Sequence, residues 1–470
     1  MGFWITIAYI ILTYLSPDSL VPSLAPYRPV LILGICGLLA SAFTLVSGKS
    51  PLLRARQTYL MFGLILAVFV SEIAHLWVGG VLFAADVFFP SAILYFLVVI
   101  NVNNWQRLRV IVVTVVVSAF ILLGQSLWAY YHYNGFESAF VFQQPLHSGE
   151  TFLGFVPRIR SVGALSDPND FAQFLLVTVP LLGLLWRPGK LRRNLIVVVL
   201  TALVLFGTFL THSRGGLVAF IILLLVLLRR RVGHISSAVI TGGTFMAALA
   251  LNFTGNRTIS IDAGMDRLGI WSDGLALFKQ SPLFGVGFGQ FTGTGAHTAH
   301  NSFLLCFSEL GLFGFFFWTG LLVVTVLELN DYLKAARQEP HPAHAASSPQ
   351  RLFNSREGPT NLASISHESS PSDCLASSAR LDSAGFCRWA QALRLSFLAF
   401  IITGWFLSRT YVTTLYILIA MAVVFKALAD GQSGLRIRDQ IGRNWLRITL
   451  IVMLCAICLI YLSVRARIFG

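Results

Sequence analysis

The run LRVIVVTVVVSAFILLGQSLW, at residues 108–128, indicates the fold class of this 470-residue chain. Its only charged residue is Arg109. A helix of about 20 apolar residues is long enough to span the hydrocarbon core of a bilayer. Comparable apolar runs recur from one end of the sequence to the other. The chain is therefore predicted to cross a membrane many times.

The composition of the whole chain supports this interpretation. Hydrophobic residues make up 56% of it and charged residues 11%, and the mean hydropathy is +0.74. A soluble domain carries about 25% charged residues, so this chain has too few charges to cover a water-soluble body. The net charge is +14. Basic loops on the cytoplasmic side of a membrane protein explain that excess, so we expect no nucleic-acid partner.

The sequence predicts an all-α polytopic membrane protein with about 12–13 transmembrane helices. We assign a span to each apolar run, and several of the runs are short enough to be tilted or partial. The predicted spans lie at residues 3–16, 28–47, 58–78, 81–101, 108–128, 170–186, 194–212, 215–229, 236–252, 301–328, 395–411, 412–428 and 446–464.

Lys and Arg in the short loops predict the orientation of these spans. If the spans alternate in direction, the basic clusters after spans two, four, six, eight and twelve all lie on one side, which the positive-inside rule makes cytoplasmic. The N-terminus is then inside and the C-terminus outside. The residues of these clusters are Lys49, Arg54, Arg56, Arg107, Arg109, Arg187, Lys190, Arg192, Arg193, Arg229, Arg230, Arg231, Lys426, Arg436, Arg438, Arg443 and Arg447.

This topology divides the chain into seven segments. The segment at 329–393 is rich in Ser, Ala and Pro and is predicted to be mostly disordered. The seven are N-terminal transmembrane helices at 1–128, an outer, periplasmic loop at 129–169, central transmembrane helices with a turn at Arg214 at 170–252, a second periplasmic loop with an interfacial helix at 253–300, a transmembrane helix at 301–328, a cytoplasmic insertion at 329–393, and C-terminal transmembrane helices at 394–470.

Two arginines near the end of the first outer loop run against the positive-inside trend. Arg158 and Arg160 precede the stretch Ser-Asp-Pro-Asn-Asp at 166–170. Asp167 and Asn169 in that stretch are typical of a turn followed by a helix cap. An arginine on the unfavoured side of a membrane indicates an anionic partner, because a guanidinium binds phosphate or carboxylate in a planar fork.

A third arginine lies between two predicted spans, in Thr-His-Ser-Arg-Gly-Gly-Leu at 211–217. The glycines after Arg214 are expected to let the backbone turn sharply. An ionisable side chain at membrane depth is costly and marks a functional site by default. The alternative is an arginine that reaches only to lipid headgroups. Because guanidinium binds phosphate in a bidentate manner, a diphosphate is the predicted ligand.

The second outer loop contains a predicted amphipathic helix from Arg267 to about Gln280. Leu268, Trp271, Leu275 and Phe278 share one face of it, as expected of a helix that lies on a membrane surface. The G-V-G-F-G turn at 285–289 follows it. That turn lacks the Lys-Ser/Thr of a phosphate-binding loop and a preceding strand, so a nucleotide site is rejected.

Two histidines, His297 and His300, end this loop, and His300 is predicted to open the tenth span. The positive end of a helix dipole favours a neutral imidazole, which is able to accept a proton. Two histidines three residues apart also suggest a metal, but no acidic or Cys ligand is close in sequence, so no metal is expected. Glu309 lies within the span and is expected to face the protein interior.

The motifs around these residues resemble those of the O-antigen ligase and Wzy-type polymerase superfamily. His300 and Asn301, followed after nine residues by Gly311-x-x-Gly314, look like the family's His-[Asn/Ser/Gln]-x9-Gly-x-x-Gly pattern. Gly311 and Gly314 are expected to let a neighbouring helix approach closely. Further elements of the family's type are Ser213-Arg214-Gly215-Gly216, with Val218 where the family usually has Leu, Pro282-x-x-Gly285-x-Gly287, and the stretch from Arg160 to Asn169.

This resemblance implies a GT-C-like helical fold and a metal-independent glycosyltransferase without a cofactor, in the bacterial inner membrane with its active site facing the periplasm. The donor would be a glycan on undecaprenyl diphosphate. His300 would deprotonate the acceptor hydroxyl, and Arg214 would bind the diphosphate and stabilise the leaving group. The further substrate-binding residues predicted are Arg158, Arg160, Asn169, Arg267, His297, Asn301 and Glu309.

The acceptor and one rival function stay open at this level. A ligase transfers the glycan to lipid A core, a polymerase to another lipid-linked glycan, and a third relative to protein. The rival is a lipid-linked glycan flippase, which would need charged side chains along a path through the bilayer. The candidates for such a path are Glu72, His75, Asp86 and Glu309.

Overall fold

The computed structural model describes residues 1–46, 50–148, 151–251, 253, 261–293, 298–338, 383–433 and 444–469. His297 lies outside these residues. So does most of the 329–393 insertion, which the sequence predicted to be mostly disordered. The described part is helical apart from one two-stranded antiparallel hairpin. The prediction of an all-α polytopic membrane protein is confirmed.

Seventeen helices and the hairpin follow one another along the described ranges. Short 3-10 turns join several of them. The elements are α1 Gly2–Leu15, α2 Pro17–Leu20, α3 Pro29–Val46, α4 Arg56–Ile73, α5 Val78–Val87, α6 Phe89–Asn101, α7 Trp105–Tyr131, β1 Val141–Ser148, β2 Thr151–Ile159, α8 Pro168–Leu182, α9 Leu191–Leu210, α10 Arg214–Val232, α11 His234–Ala250, α12 Ile261–Gln280, α13 Gln290–Gly293, α14 Ser302–Gln338, α15 Ser383–Gly404, α16 Thr413–Ser433 and α17 Trp445–Phe469.

Ten helices of the described ranges are long and apolar enough to cross a membrane, and α5 with α6 forms an eleventh span if the two count as one. These two helices meet at an angle of 48°. The predicted count of 12–13 also included α10 and α11. Helix α10 has arginines at both ends, and α11 has 17 residues, so neither presents a full-length apolar stretch.

Helices α8, α14 and α16 form the centre of the bundle. In the apolar window of α16 72% of residues are buried, against 17% in the window that contains α3. Helix α14 packs against α4, α12, α15 and α17. Leu39 and Phe43 on α3 are largely exposed, as suits side chains that face lipid. The central helices therefore determine where the loops at each membrane surface meet.

Buried polar side chains join α8 to α15. The Gln173 side-chain amide donates to Thr403 Oγ1 at 2.7 Å, and Ser396 Oγ donates to the Val177 carbonyl at 2.8 Å. Polar groups inside a membrane protein need such partners because lipid supplies none. The two antiparallel helices are thereby held side by side. The start of α8 lies close to the chain that leaves α15.

Helix α14 is broken at Gly311, which has a φ of +61°. The segment at 282–287 runs alongside the break. The Val286 N–H donates to the Ser308 carbonyl at 2.9 Å, and the Gly287 N–H donates to the Glu309 carbonyl at 3.1 Å. A side chain at Gly311 would collide with the backbone of this segment. Gly311 therefore admits a loop and breaks the helix, where the sequence suggested the approach of another helix.

The apolar face of α12 contacts α14. The Phe278 and Phe307 rings lie 5.0 Å apart, and Ser308 Oγ donates to the Gly274 carbonyl at 2.9 Å. Leu275 on the same face is buried. This part of the apolar face is therefore covered by α14, which offers aromatic packing and a hydrogen bond that lipid does not, and the position of α12 at the membrane surface stays a prediction.

Candidate functional site

Arg158 links three elements at one end of the bundle. It lies near the end of β2 and is 2% exposed. Its Nε donates to the Thr211 carbonyl at 2.7 Å, at the end of α9, and its Nη1 donates to Gln144 Oε1 at 3.0 Å, on β1. Its Nη2 donates to Asn169 Oδ1 at 3.1 Å, at the start of α8. Each guanidinium nitrogen thus has a partner within the protein, so Arg158 positions the neighbours of the site.

The Arg158 side chain is protonated and lies near the cationic side chain of Arg214. Burial lowers its pKa to about 10, the Asp167 carboxylate opposes that shift, and the Arg214 charge adds to it. Partial burial and the Arg214 charge also lower the pKa of Arg267. A pKa of about 10 leaves Arg158 protonated at neutral pH. Because Arg158 donates to the Thr211 carbonyl, three residues before Arg214, these two arginines are neighbours, and the influence of the Arg214 charge on the pKa of Arg267 adds a third cation to the same region.

The turn before Arg214 is made by His212, which has a φ of +48°. Ser213 caps α10 by accepting a hydrogen bond from the Gly216 N–H at 3.2 Å. The two glycines predicted to turn the chain lie in the first turn of α10, and they allow close packing. A Cβ at Gly216 would lie 3.2 Å from the Ala172 side chain on α8, and one at Gly215 would lie 3.2 Å from Phe406. Arg214 is thus held against α8 and the loop after α15.

His300 precedes α14 and also has a φ of +48°. A residue other than glycine is uncommon in this region and often marks a functional site. Helix α14 begins at Ser302, so His300 does not open the helix itself as predicted. The Asn301 side chain caps it, accepting from the N–H groups of Phe303 and Leu304 at 2.9 and 3.0 Å.

A cavity of about 360 Å³ brings several predicted residues together. Its size lies in the range of roughly 300–1,000 Å³ that is typical of ligand pockets. Aromatic side chains, among them Phe83 and Phe288, form its apolar wall. The polar part of the lining consists of Asp167, Asn169, Asp170, Thr292, Thr298, His300, Ser408, Glu309, Arg409 and Tyr411. Asn169 connects this cavity to Arg158, and Arg158 neighbours Arg214.

Arg409 in this lining was not singled out by the sequence reasoning. It forms an ion pair with Asp170 of α8, whose side chain is 3% exposed. Its backbone N–H donates to Ser302 Oγ at 2.8 Å, so the loop after α15 is attached to the start of α14. Burial lowers its pKa to about 10. An arginine close to the predicted outer end of the span at 395–411 was a signal of the same kind as Arg214.

Glu309 faces the cavity from within α14 and is 2% exposed. Its Oε1 accepts a hydrogen bond from the Phe291 N–H at 3.3 Å. Burial raises the pKa of Tyr411, on the cavity wall, well above its usual value, and the Glu309 charge raises it further. The Tyr411 hydroxyl is therefore protonated over the physiological range. The cavity thus presents the phenol of Tyr411, the carboxylate of Glu309 and the imidazole of His300 to a polar ligand.

The other predicted site residues have different surroundings. Arg160 forms an ion pair with Glu137 at 3.0 Å and donates to the Ser138 carbonyl at 2.8 Å, so it braces the approach to β1 and does not line the cavity. Arg267 is exposed on α12 beside Arg214. Asn301 is fully buried and caps α14. His297 lies outside the described residues.

Comparison with known families supports the resemblance seen in the sequence. Residues 198–319, about a quarter of the chain, match the family model described as O-antigen ligase. The matched segment includes Arg214, Arg267, His300 and Glu309. No curated protein matches the chain. The resemblance to the O-antigen ligase and Wzy-type superfamily is thus confirmed, and that family indicates an enzyme that transfers glycans in polysaccharide biosynthesis.

Proposed function

From this family match as a premise, we propose that the protein transfers a glycan from undecaprenyl diphosphate to an acceptor hydroxyl at the periplasmic face of the bacterial inner membrane. The observation that carries the proposal is the cavity lined by His300, Arg409 and Asn169. Through Asn169 and Arg158 it adjoins the positive field of Arg214. The diphosphate of the donor needs the positive charge of Arg214, and the acceptor hydroxyl needs the base His300. The two groups must therefore lie next to each other.

The reaction needs one proton acceptor and one stabiliser of negative charge. His300 takes the proton of the acceptor hydroxyl while its oxygen attacks the anomeric carbon of the donor glycan. The bond between that carbon and the phosphate oxygen breaks, and undecaprenyl diphosphate leaves with the electron pair. Arg214 stabilises the charge that develops on the departing phosphate, because fixed cations act most strongly where water is excluded.

The arginines divide this work between them. The nitrogens of Arg158 are bound to protein groups, so its part is to hold Asn169 and the end of α9 in place. Arg214 is partly exposed and Arg267 is exposed, so both are accessible to a ligand. Arg409 adds a cation to the cavity that contains His300. This division replaces the simple cluster of anion-binding arginines expected from the sequence.

The acceptor is a hydroxyl of a glycan, of lipid A core or of a protein side chain. Each of these presents the same nucleophile to His300, so one chemical step serves a ligase, a polymerase and a protein glycosyltransferase. Incubating membranes with a radiolabelled lipid-linked glycan separates the products. Label moves to lipopolysaccharide, to longer lipid-linked glycan or to protein.

The test of the proposal is His300→Ala in the full-length chain in membranes. Transfer of labelled glycan from undecaprenyl diphosphate is expected to be lost, because the acceptor hydroxyl loses the imidazole that takes its proton, while the amount of protein in the membrane stays normal. His132→Ala is the matched control, since His132 lies at the end of α7 and does not line the cavity. Full transfer by the His300 variant would remove the base assignment.

Metal independence is a separate expectation of this mechanism. The arginines supply the positive charge that other diphosphate-using enzymes take from a divalent ion. Treatment of membranes with a chelator, followed by the same transfer assay, is expected to leave the rate unchanged. Inactivation by the chelator that added Mg²⁺ or Mn²⁺ reverses would favour a metal site instead.

A further inference from the structure

Two adjoining cavities lie at the end of α8 that is remote from His300. One is lined by arginines and the other by apolar side chains, and each has a volume of about 430 Å³. Along α8 they are about 20 Å from Asn169, at 1.5 Å of rise per residue. We propose that the two cavities together bind an anionic phospholipid from the membrane leaflet next to the basic loops. This site is distinct from the proposed glycan-transfer site.

The basic cavity is lined by four arginines from four parts of the fold. Arg109 comes from α7, Arg187 from the loop after α8, Arg193 from α9 and Arg388 from α15. No carboxylate among the residues that the structure describes lines this cavity or forms an ion pair with these arginines. Arginines from four elements repel one another when they converge, so the arrangement favours an anion that neutralises them.

The apolar cavity is a groove between α8, α10 and α15. Its walls include Leu176, Val179, Phe220, Leu224 and Leu395. Helix α8 contains Pro180 and passes into a 3-10 turn at Gly183–Leu185, so the helix does not continue along the groove. Proline removes a backbone donor and interrupts the regular helix. The resulting space suits an acyl chain better than a polar molecule.

The two cavities share lining residues. Trp186 and Arg388 line both of them, and Arg231 lies on the wall of the groove. The groove therefore passes directly into the cluster of guanidinium groups. A ligand that fits both parts has an apolar chain and an anionic head, which is the chemistry of an anionic lipid. A soluble anion would leave the groove empty, and a neutral lipid would leave the arginines without a counter-charge.

A bilayer lipid also has access to this place. Leu227 on the groove and Trp186 between the cavities are 39% and 42% exposed, on the apolar exterior of a membrane protein. The positive-inside rule assigns these arginines to the cytoplasmic side, where anionic lipids attract basic residues close to the membrane surface. A phospholipid of that leaflet can enter sideways without leaving the bilayer.

The test measures lipid binding to the purified full-length chain by native mass spectrometry. The probes are phosphatidylglycerol, diphosphatidylglycerol, phosphatidylethanolamine and undecaprenyl diphosphate. The variant is Arg187→Gln with Arg388→Gln, and the matched control is Arg192→Gln, since Arg192 is exposed on the same helix as Arg193 but lines neither cavity. The double variant is expected to bind the two anionic phospholipids roughly tenfold or more weakly, while the control stays within about twofold of the parent.

A groove-filling variant tests the other half of the proposal. Leu227→Trp places a large ring in the groove and keeps all the arginines. It is expected to lower phospholipid binding at least about fivefold, and it decides the matter alone if the double arginine variant does not fold. Unchanged phospholipid binding in the folded variants would overturn the proposal. Arginine-dependent binding of undecaprenyl diphosphate without binding of phosphatidylglycerol would also overturn it.

Discussion

At the scale of single residues, the ion pair between Arg409 and Asp170 joins the loop after α15 to the start of α8 at the candidate site. The Asp170 carboxylate is 3% exposed and the Arg409 side chain 24% exposed. Removing one partner of a buried pair leaves the other charge without compensation, which costs about 3 kcal/mol or more. Arg409→Gln is therefore expected to lower the thermal unfolding temperature of the protein in detergent.

The double variant Asp170→Asn with Arg409→Gln separates charge from shape at this position. Two neutral amides can hydrogen-bond without a buried charge, so this variant is expected to unfold at a higher temperature than Arg409→Gln alone. Glycan transfer is expected to be impaired in both variants, because each has lost the cation that Arg409 contributes to the cavity. Equal unfolding temperatures for the parent, the single and the double variants would show that the pair adds nothing to stability.

A substitution at Arg214 tests whether the site needs the planar guanidinium group or only a positive charge. Arg214→Lys keeps the positive charge but loses the two parallel N–H donors that match a phosphate. We expect glycan transfer to fall about 100-fold, as for the loss of one donor that stabilises a transition state. The transfer assay at several donor concentrations measures this. A rate close to that of the parent would argue against a direct diphosphate contact.

At the scale of elements, the break in α14 positions Glu309 and the loop at 282–287. Gly311→Ala forces a side chain into a backbone conformation, φ +61° and ψ −167°, that is essentially confined to glycine and costs about 1–3 kcal/mol, and also into the backbone of that loop. A loss of thermal stability and of transfer activity is expected. The matched control is Gly242→Ala in α11, where a Cβ meets no atom within 4 Å. That control is expected to be neutral or stabilising, by up to about 1 kcal/mol.

The β-hairpin is a second element that shapes the site, and it does so through the Arg158 side chain. Strands β1 and β2 lie in the first of the loops predicted to be outside, and the Arg158 side chain joins them to α8 and α9. The sequence of this loop predicted a turn and a helix cap but no strands, because the pairing partner of a strand lies elsewhere in the chain. The predicted cap at Asp167 is nevertheless present, since its Oδ1 accepts from the Asn169 N–H at 2.7 Å.

At the scale of the whole molecule, the proposal needs the loops at both ends of α8 to open to different compartments. In a background without the native cysteines, single cysteines at Asn134, Thr298 and Gly189 report on this. Asn134 and Thr298 lie on the side of His300, and Gly189 lies in the basic loop at the other end. An impermeant thiol reagent added to the periplasm is expected to label the first two and to reach Gly189 only after permeabilisation. The reverse pattern would contradict the orientation.

The sequence by itself determined the membrane fold class, the approximate position of the long apolar helices and three polar residues of the cavity lining, His300, Asn169 and Glu309. Apolar runs and basic loops are local features of a sequence. In a bilayer a single polypeptide segment spans as a helix, so an apolar run is enough to identify a helix and a basic loop predicts its orientation. Glu309 was identified as an ionisable residue inside an apolar span, and His300 and Asn169 were identified from their match to motifs of the family.

Only the tertiary structure decided which residues meet and what each does there. Arg409 gains its importance from Asp170, which lies far away in sequence, and Arg158 gives its donors to groups on three other elements. The break at Gly311 depends on a loop that comes before it in the chain. Such contacts are set by helix packing. Packing joins residues that are distant in sequence, and no local pattern of residues encodes it.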